Sequence, residues 1–346
     1  SGPPGFQASL WCPLDCFGAR GYTPPRGARE EVKRRSGRRL REAATGWLMV
    51  GPAALVLGLF SFFPLCYAFY ISLHRWGIRK EEFVGFANYA RAFSDPEFGR
   101  AMVVTLYYVL GTVPVGLSLS LLVANLLAQR IRGRAFYRTV YFLPYVTSVV
   151  AAAAVWIWML YPAPAEWGLG NAVLKFLGIP PQRWVEESTG IFQLLFGPSV
   201  PGWAAGPSLA LVCVMAFSVW HALGFEVVVL LAALSNVPRE VYEAAALDGA
   251  TGWRRLRQIT IPMISPTLFF LLIVSTIRAF RVFSHIYVLA AKDTERTTHN
   301  VTMFIFRAFY ELREVGYGSA VALLLFVIIL VVTLIQMRVV GARVHY

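Results

Sequence analysis

Hydrophobic positions in this chain fall in six long runs, not in the alternating or one-faced spacing of a soluble core. The runs cover roughly 47–73, 101–128, 140–160, 209–234, 267–291 and 317–337. Each approaches or exceeds the about 20 apolar residues that a helix needs to cross a hydrocarbon layer. The first three and the last contain no Asp, Glu, Lys, Arg or His. Pro52, Pro64, Pro114 and Pro144 fall inside the runs, and membrane helices tolerate proline better than soluble ones. The pattern predicts an all-α polytopic membrane protein with six transmembrane helices over 47–340.

Composition agrees, since 57% of residues are hydrophobic and 15% charged, against roughly a quarter charged in soluble domains. Charge then predicts orientation. With both termini cytoplasmic, the inner segments 1–46, 129–139, 235–266 and 338–346 carry nineteen Lys and Arg. The outer segments 74–100, 161–208 and 292–316 carry eleven, while acidic residues number seven inside and eleven outside. A basic excess inside is the usual arrangement. The net charge of +13 owes much to the run 29–41, just ahead of the first span. That run reads as an orientation signal beside anionic lipid. Nucleic acid is not expected as a partner, because aromatic interleaving and a soluble binding fold are absent. Residues 1–46 form a basic, partly disordered cytoplasmic tail, and 341–346 a short cytoplasmic C-terminus. Cys12 and Cys16 make one CxxxC pair, short of the four ligands of a structural zinc site, so no metal is expected. The first run is too long for a signal peptide and lacks its cleavage pattern.

The polar segment between the fourth and fifth runs does not read as a plain loop. Ser235, Asn236 and Pro238 are helix-start residues. Residues 240–247 favour helix, Asp248-Gly249 breaks it, and 252–259 reads as a second short helix ended by Pro262. Ala244, Ala245 and Ala246 allow close approach, with Glu243, Arg254, Arg255 and Arg257 around them. This suits docking of a partner. The segment resembles the EAA loop of bacterial ATP-binding-cassette (ABC) importer permeases. Glu243-Ala244-Ala245 is followed by Asp248-Gly249-Ala250, and nine residues separate Gly249 from Ile259. Ile261 then stands where the pattern has leucine, before Pro262. Phe83 to Tyr89, Tyr141 to Pro144, Phe306 to Tyr310 and Gly316 to Ala320 extend the resemblance over about 45–340.

The resemblance implies the type I ABC importer permease fold in a bacterial or archaeal plasma (inner) membrane. The element 238–266 would insert into a cleft of a separate ATPase through Glu243, Ala244, Ala245, Asp248, Gly249, Ala250, Ile259 and Pro262. Implied partners are a second permease subunit forming a heterodimer, two ATPase subunits that hold ATP-Mg, an extracytoplasmic solute-binding protein, and membrane lipid. No cofactor is expected in this chain. After the fifth run the family often carries Thr-Gly-Gly-Pro. Residues 290–298 lack its glycines, so contacts of that turn are not carried over.

The fourth and fifth runs hold the residues that are expensive at membrane depth: His221 and Glu226, then Arg278, Arg281 and His285. Such groups cost about 2.5–3.5 kcal/mol each on insertion scales and mark cavities or partners. In sugar-importer permeases the corresponding stretches line the substrate pocket. This implies a substrate pathway through Trp220, Leu223, Gly224, Glu226, Ser275, Arg278 and Arg281. Trp220 would stack on a sugar face while Arg and Glu bind hydroxyls. Arginines at 278 and 281 depart from the family's small or amide residues. A Glu226–arginine pair made for structural reasons is the competing reading, and two arginines would also suit a glycerol-3-phosphate-type substrate. In the outer segment 161–208, residues 171–177 read as a short interfacial helix near tryptophan anchors.

None of the four lysines follows a glycine, so the chain has no P-loop and does not bind ATP in that manner. No hydrolytic motif is present, and the chain is not expected to be an enzyme. The sequence therefore predicts the permease subunit of an ATP-driven importer, forming half of the pathway for a sugar or related polyol. The alternative is a secondary transporter or channel that uses Glu226, Arg278 and Arg281 as an ion path.

Overall fold

The computed structural model describes residues 45–343, apart from 78–79, 130–131, 161–167, 291–292 and 294. The expectations for the tail over 1–44, with Cys12 and Cys16, and for 344–346 lie outside the described residues. The chain divides into two units, Ser1–Cys66 and Tyr67–Tyr346. In the first, the described residues belong to helix α1, Thr45–Ser72, which is long and apolar enough to span. A wide π turn at Gly58–Phe62 precedes Pro64, whose ring nitrogen has no N–H to continue the regular ladder.

The second unit continues with a two-stranded antiparallel hairpin, β1 (His74–Trp76) against β2 (Lys80–Phe83). Helices follow: α2 Ala87–Ser94, α3 Pro96–Ala128, α4 Arg134–Val146, α5 Val149–Met159, α6 Leu169–Phe176 and α7 Ile191–Phe196. Then come α8 Leu209–Ser235, α9 Arg239–Leu247, α10 Gly252–Met263, α11 Ser265–Phe280, α12 Ser284–Leu289, α13 Val301–Tyr310 and α14 Val315–Val339. Caps fix several starts. The Asp95 carboxylate accepts from Glu97 N at 2.8 Å, with Pro96 at the first helical position of α3, and Ser208 Oγ accepts from Leu211 N at 3.1 Å in α8. The short helix expected over 171–177 is α6.

The fold is mostly helical, and α1, α3, α8 and α14 are uninterrupted spans. The third and fifth runs are bent rather than straight, and with each bent pair counted as one span the expected six remain. α4 and α5 meet at 99°. Thr147 leaves the helix with ψ 154°, and its hydroxyl donates to the Pro144 carbonyl at 2.7 Å, satisfying an acceptor the broken helix leaves open. In the fifth run, α11 stops at Phe280 and α12 begins at Ser284. α10 and α11 meet at 76° around Ile264. Pro262 is the penultimate residue of α10, which ends at Met263, within a residue of the expected stop.

Side-chain pairs give the helix directions. Tyr108 meets Ser218 at 2.8 Å and Ser120 meets Glu226 at 2.7 Å, so α3 and α8 run parallel. Ser275 meets Glu226 while His285 meets Ser218, so the fifth run is antiparallel to them. Tyr145 lies beside His221, and Trp156 meets Phe217 edge-on, so the third run is also antiparallel to α8. The hairpin, 168–208 and 293–314 thus gather at one end, and 236–264 at the other, matching the alternation the runs predict. α4 and α8 approach closely at Gly224, where a Cβ would lie 2.4 Å from the Tyr141 carbonyl oxygen. Small residues at such crossings let helices pack when lipid supplies no hydrophobic contrast. Outward-facing Leu110, Leu126, Leu143, Trp158, Leu330 and Ile335 are exposed, as suits a surface bathed in acyl chains.

The hairpin end is held by charge. Arg91 pairs with Glu314 at 2.9 Å, Arg296 with Glu97 at 3.5 Å, and Arg307 also pairs with Glu97. Tyr317 donates to Asp95 at 2.7 Å. Hydrogen bonding to Glu314 raises the Arg91 pKa above its ordinary value against the opposing pull of burial.

Candidate functional site

Three parallel or antiparallel helices, α3, α8 and α11, leave a small polar cavity between them. Its wall includes Tyr108, Thr112 and Gly116 from α3, Ser218, His221 and Glu226 from α8, and Ser275 and Arg278 from α11. Val282 and His285 complete it at the break of the fifth run. Glu226 is 3% exposed. Its two carboxylate oxygens accept separately, Oε2 from Ser120 at 2.7 Å and Oε1 from Ser275 at 2.8 Å. Gly116 faces the same carboxylate, where a Cβ would lie 3.6 Å from Oε2. Two hydroxyl donors are how a buried acid is kept from standing unsatisfied. Among the described residues Glu226 makes no ion pair, so the Glu226–arginine pair weighed from sequence is absent from this conformation. The serines, one on α3 and one on α11, take its place.

Arg278 lies over two rings instead, 5.8 Å from the Tyr145 centroid and 5.6 Å from that of Phe225. Ring faces attract a guanidinium and leave its N–H groups free to meet a polar ligand. At the other side of the cavity His285 Nε2 lies 2.8 Å from Ser218 Oγ and 3.2 Å from Tyr108 Oη. The Ser218 hydroxyl also reaches the Val214 carbonyl at 2.7 Å. His221 Nε2 is buried without a partner among the described residues. The cavity measures about 100 Å³, well short of the roughly 300–1,000 Å³ of ordinary small-molecule pockets. In this conformation the helices enclose a small cleft rather than a finished pocket.

Of the pathway residues read from sequence, Glu226, Ser275 and Arg278 share the cavity wall. Trp220, Leu223, Gly224 and Arg281 do not. Trp220 packs against Trp156 and Phe217, Leu223 packs into the apolar cluster around Leu230, and Gly224 faces α4. Arg281 is exposed at the C-terminal cap of α11. The resemblance passed over Ser120, Tyr108 and Ser218. Their signal was faint, polar atoms inside otherwise apolar runs, and only the fold shows which of them face one another.

The other element of interest is α9–α10. Ala250 N donates to the Ala245 carbonyl at 2.8 Å and Gly249 N to the Ala246 carbonyl at 3.1 Å. Gly249 has φ 73°. This paired closure with a left-handed residue is the Schellman ending of a helix, and Ala245 and Ala250, the two positions whose apolar contact usually accompanies it, are both buried. Glu243 and Asp248 do not face inward. Tyr242 ties the two helices, with Arg255 over its ring at 5.6 Å and Thr260 Oγ1 at 3.5 Å. Leu247 and Trp253 are 91% and 66% exposed. Ile259 and Pro262 lie on α10, which leads into α11 and so to Ser275 and Arg278.

Comparison with known proteins gives consistent matches. Residues 116–346 match the family described as binding-protein-dependent transport system inner membrane component. The chain is 33% identical to the trehalose/maltose transport system permease protein MalF of Thermococcus litoralis, over 86% of this chain and 94% of that protein. It is 29% identical to the sn-glycerol-3-phosphate transport system permease protein UgpA of Agrobacterium fabrum, over 87% and 96%. A bacterial alginate ABC transporter, solved in complex with an alginate pentasaccharide-bound periplasmic protein, superposes with TM-score 0.71 at 22% identity, over 89% of this chain and 99% of that one.

Proposed function

The chain belongs to the binding-protein-dependent transport system inner membrane components, and from that premise we propose that it forms half of an ATP-driven path for a sugar or related polyol. Its role as an importer permease is transport rather than catalysis. The observation that carries the substrate reading is the cavity, where Glu226, Ser275 and Arg278 from two facing helices present both acceptors and donors to one volume. Sugars are bound by such mixed groups. A two-arginine site for a phosphate ester has less support, because Arg281 is not on the wall. The names of the relatives support carbohydrate or glycerol phosphate without choosing between them.

The partners in this reading are a second, different permease, two ATPase subunits carrying ATP-Mg, and a solute-binding protein outside. Both termini and α9–α10 face the cytoplasm. ATPase closure would press on α9–α10. The short cap between them makes the pair one body, and α10 meets α11 with no intervening loop. A push there would therefore be delivered to Ser275 and Arg278 as a tilt of α11. Rocking of one bundle against another around a fixed site is the general form of alternating access.

The test is uptake by the purified complex in proteoliposomes, with radiolabelled trehalose, maltose and glycerol-3-phosphate offered separately. ATP-dependent accumulation of a sugar is expected. Glu243→Lys or Gly249→Trp should leave the permease in the membrane and abolish coupling of ATP hydrolysis to uptake. Accumulation without ATP or without the ATPase subunits would instead favour a secondary transporter, and normal uptake by both variants would remove the docking role of α9–α10.

A further inference from the structure

The break in the fifth run leaves the Val282 carbonyl outside any helical ladder, beside the cavity. It does not stay open. Asn300 Nδ2 donates to it at 2.8 Å, and Thr302 Oγ1 donates to it as well. Asn300 is fully buried, with 0% exposure. Its other amide atom, Oδ1, accepts from Met303 N at 3.0 Å and lies 2.8 Å from Thr302 Oγ1, sharing that hydroxyl's one proton with the Val282 carbonyl, so one side chain caps α13 and grips the break together. The next residue fixes a third element, since Val301 N donates to Thr105 Oγ1 of α3 at 3.0 Å. On the far side of the break, His285 of α12 is held by Ser218 and Tyr108.

We propose that Asn300 is a positioning residue for transport, clamping the break so that Arg278 before it and His285 after it keep their placement across the cavity. The inference rests on the reading of that cavity as the substrate path. It adds a mechanical link that runs from the segment at 295–302 into the path. Movement of that segment would release the Val282 carbonyl and let α12 turn relative to α11. Serving as an α13 cap alone would require only Oδ1. The amide nitrogen and the Thr302 hydroxyl, both aimed at Val282, are what a cap does not need.

Asn300→Asp separates the two roles. Aspartate caps a helix about as well as asparagine but offers Val282 no donor. In the whole complex, co-purified with its permease and ATPase partners in nanodiscs, amide hydrogen exchange should quicken about tenfold over 284–290 in Asn300→Asp, the scale of losing one buried hydrogen bond. Exchange over 303–310 should stay unchanged. Thr302→Val, which leaves Asn300 in place, should quicken 284–290 in the same way, and Thr302→Ser should restore it. Unchanged exchange over 284–290 in both Asn300→Asp and Thr302→Val would overturn the inference. Uptake of whichever of trehalose, maltose or glycerol-3-phosphate the wild-type complex accumulates should show a severalfold higher half-saturating concentration in Asn300→Asp, with basal ATP hydrolysis unchanged. Loosened exchange with unaltered uptake would also overturn it. Arg278→Gln then locates the fault: if it too leaves uptake unaltered, the path reading fails, and if it abolishes uptake, only the link through Asn300 does.

Discussion

At the scale of single residues the strongest statement concerns Glu226. Its carboxylate is matched by two serine hydroxyls, one from each neighbouring helix. Glu226→Ala would leave both without that partner and should destabilise the complex by about 1–3 kcal/mol, visible as a lower melting temperature in detergent. Glu226→Gln keeps an acceptor for one serine and offers its amide to the other, so it should melt much closer to wild type. Equal melting of the two variants would mean that the serines do not depend on the carboxylate. His299 carries a pH prediction. Burial holds its pKa below the ordinary value, Arg296 and Arg307 push the same way, and Asp293 and Glu311 oppose them. The folded state thus keeps His299 neutral where the unfolded chain would protonate it. Its contribution is present above about pH 6.5 and is lost as pH falls from there through the lower folded value. Melting of wild type should therefore fall more steeply between about pH 7 and 5 than melting of His299→Gln, and parallel curves would remove His299 as the cause.

At the scale of elements, Gly224 predicts how tightly α4 and α8 are set. A Cβ there would meet backbone atoms, Tyr141 O at 2.4 Å and Phe142 Cα at 2.9 Å. Backbone cannot swing aside like a side chain, so Gly224→Ala should cost about 1–3 kcal/mol, as overpacking does, measured by the same melting assay. A neutral result would mean that the crossing is loose. The α9–α10 element was the most legible part of the chain. The helix over 240–247, the break at Asp248-Gly249 and the helix from 252 are written in local signals needing no partner from elsewhere, and the fold contains all three. The four uninterrupted spans were legible for the same reason, because length and apolarity are local. The two breaks were not. Thr147-Ser148 barely interrupts its apolar pattern, and a charge such as Arg281 marks a cavity or partner as readily as a break. The second is stabilised by Asn300 and Thr302, about twenty residues on, beyond the polar segment that follows the fifth run. A carbonyl freed inside lipid is tolerable only with such donors, and sequence gives no sign of which donor will arrive. The cavity was half legible. Charge at membrane depth singled out Glu226 and Arg278, while their hydroxyl neighbours looked like ordinary span residues.

At the scale of the whole molecule, alternating helix directions put 236–264 at one end and the hairpin, 168–208 and 293–314 at the other. Basic residues favour the first end as cytoplasmic, and a labelling experiment decides it. In a background without native cysteines, Trp253→Cys in sealed cells should resist a membrane-impermeant maleimide until the cells are opened, whereas Leu195→Cys should react at once. The reverse pattern would invert the orientation and remove the ATPase from α9–α10. The two ends also differ in what holds them. The α9–α10 end is closed by backbone caps, a ring contact and buried alanines. The hairpin end is joined through Arg91, Glu314, Glu97, Arg296 and Arg307, all partly open to solvent. Exposed ion pairs weaken as dissolved salt shortens the reach of charge, to roughly 8 Å at physiological ionic strength and 3 Å at molar levels. Salinity would then loosen the hairpin end more than the α9–α10 end.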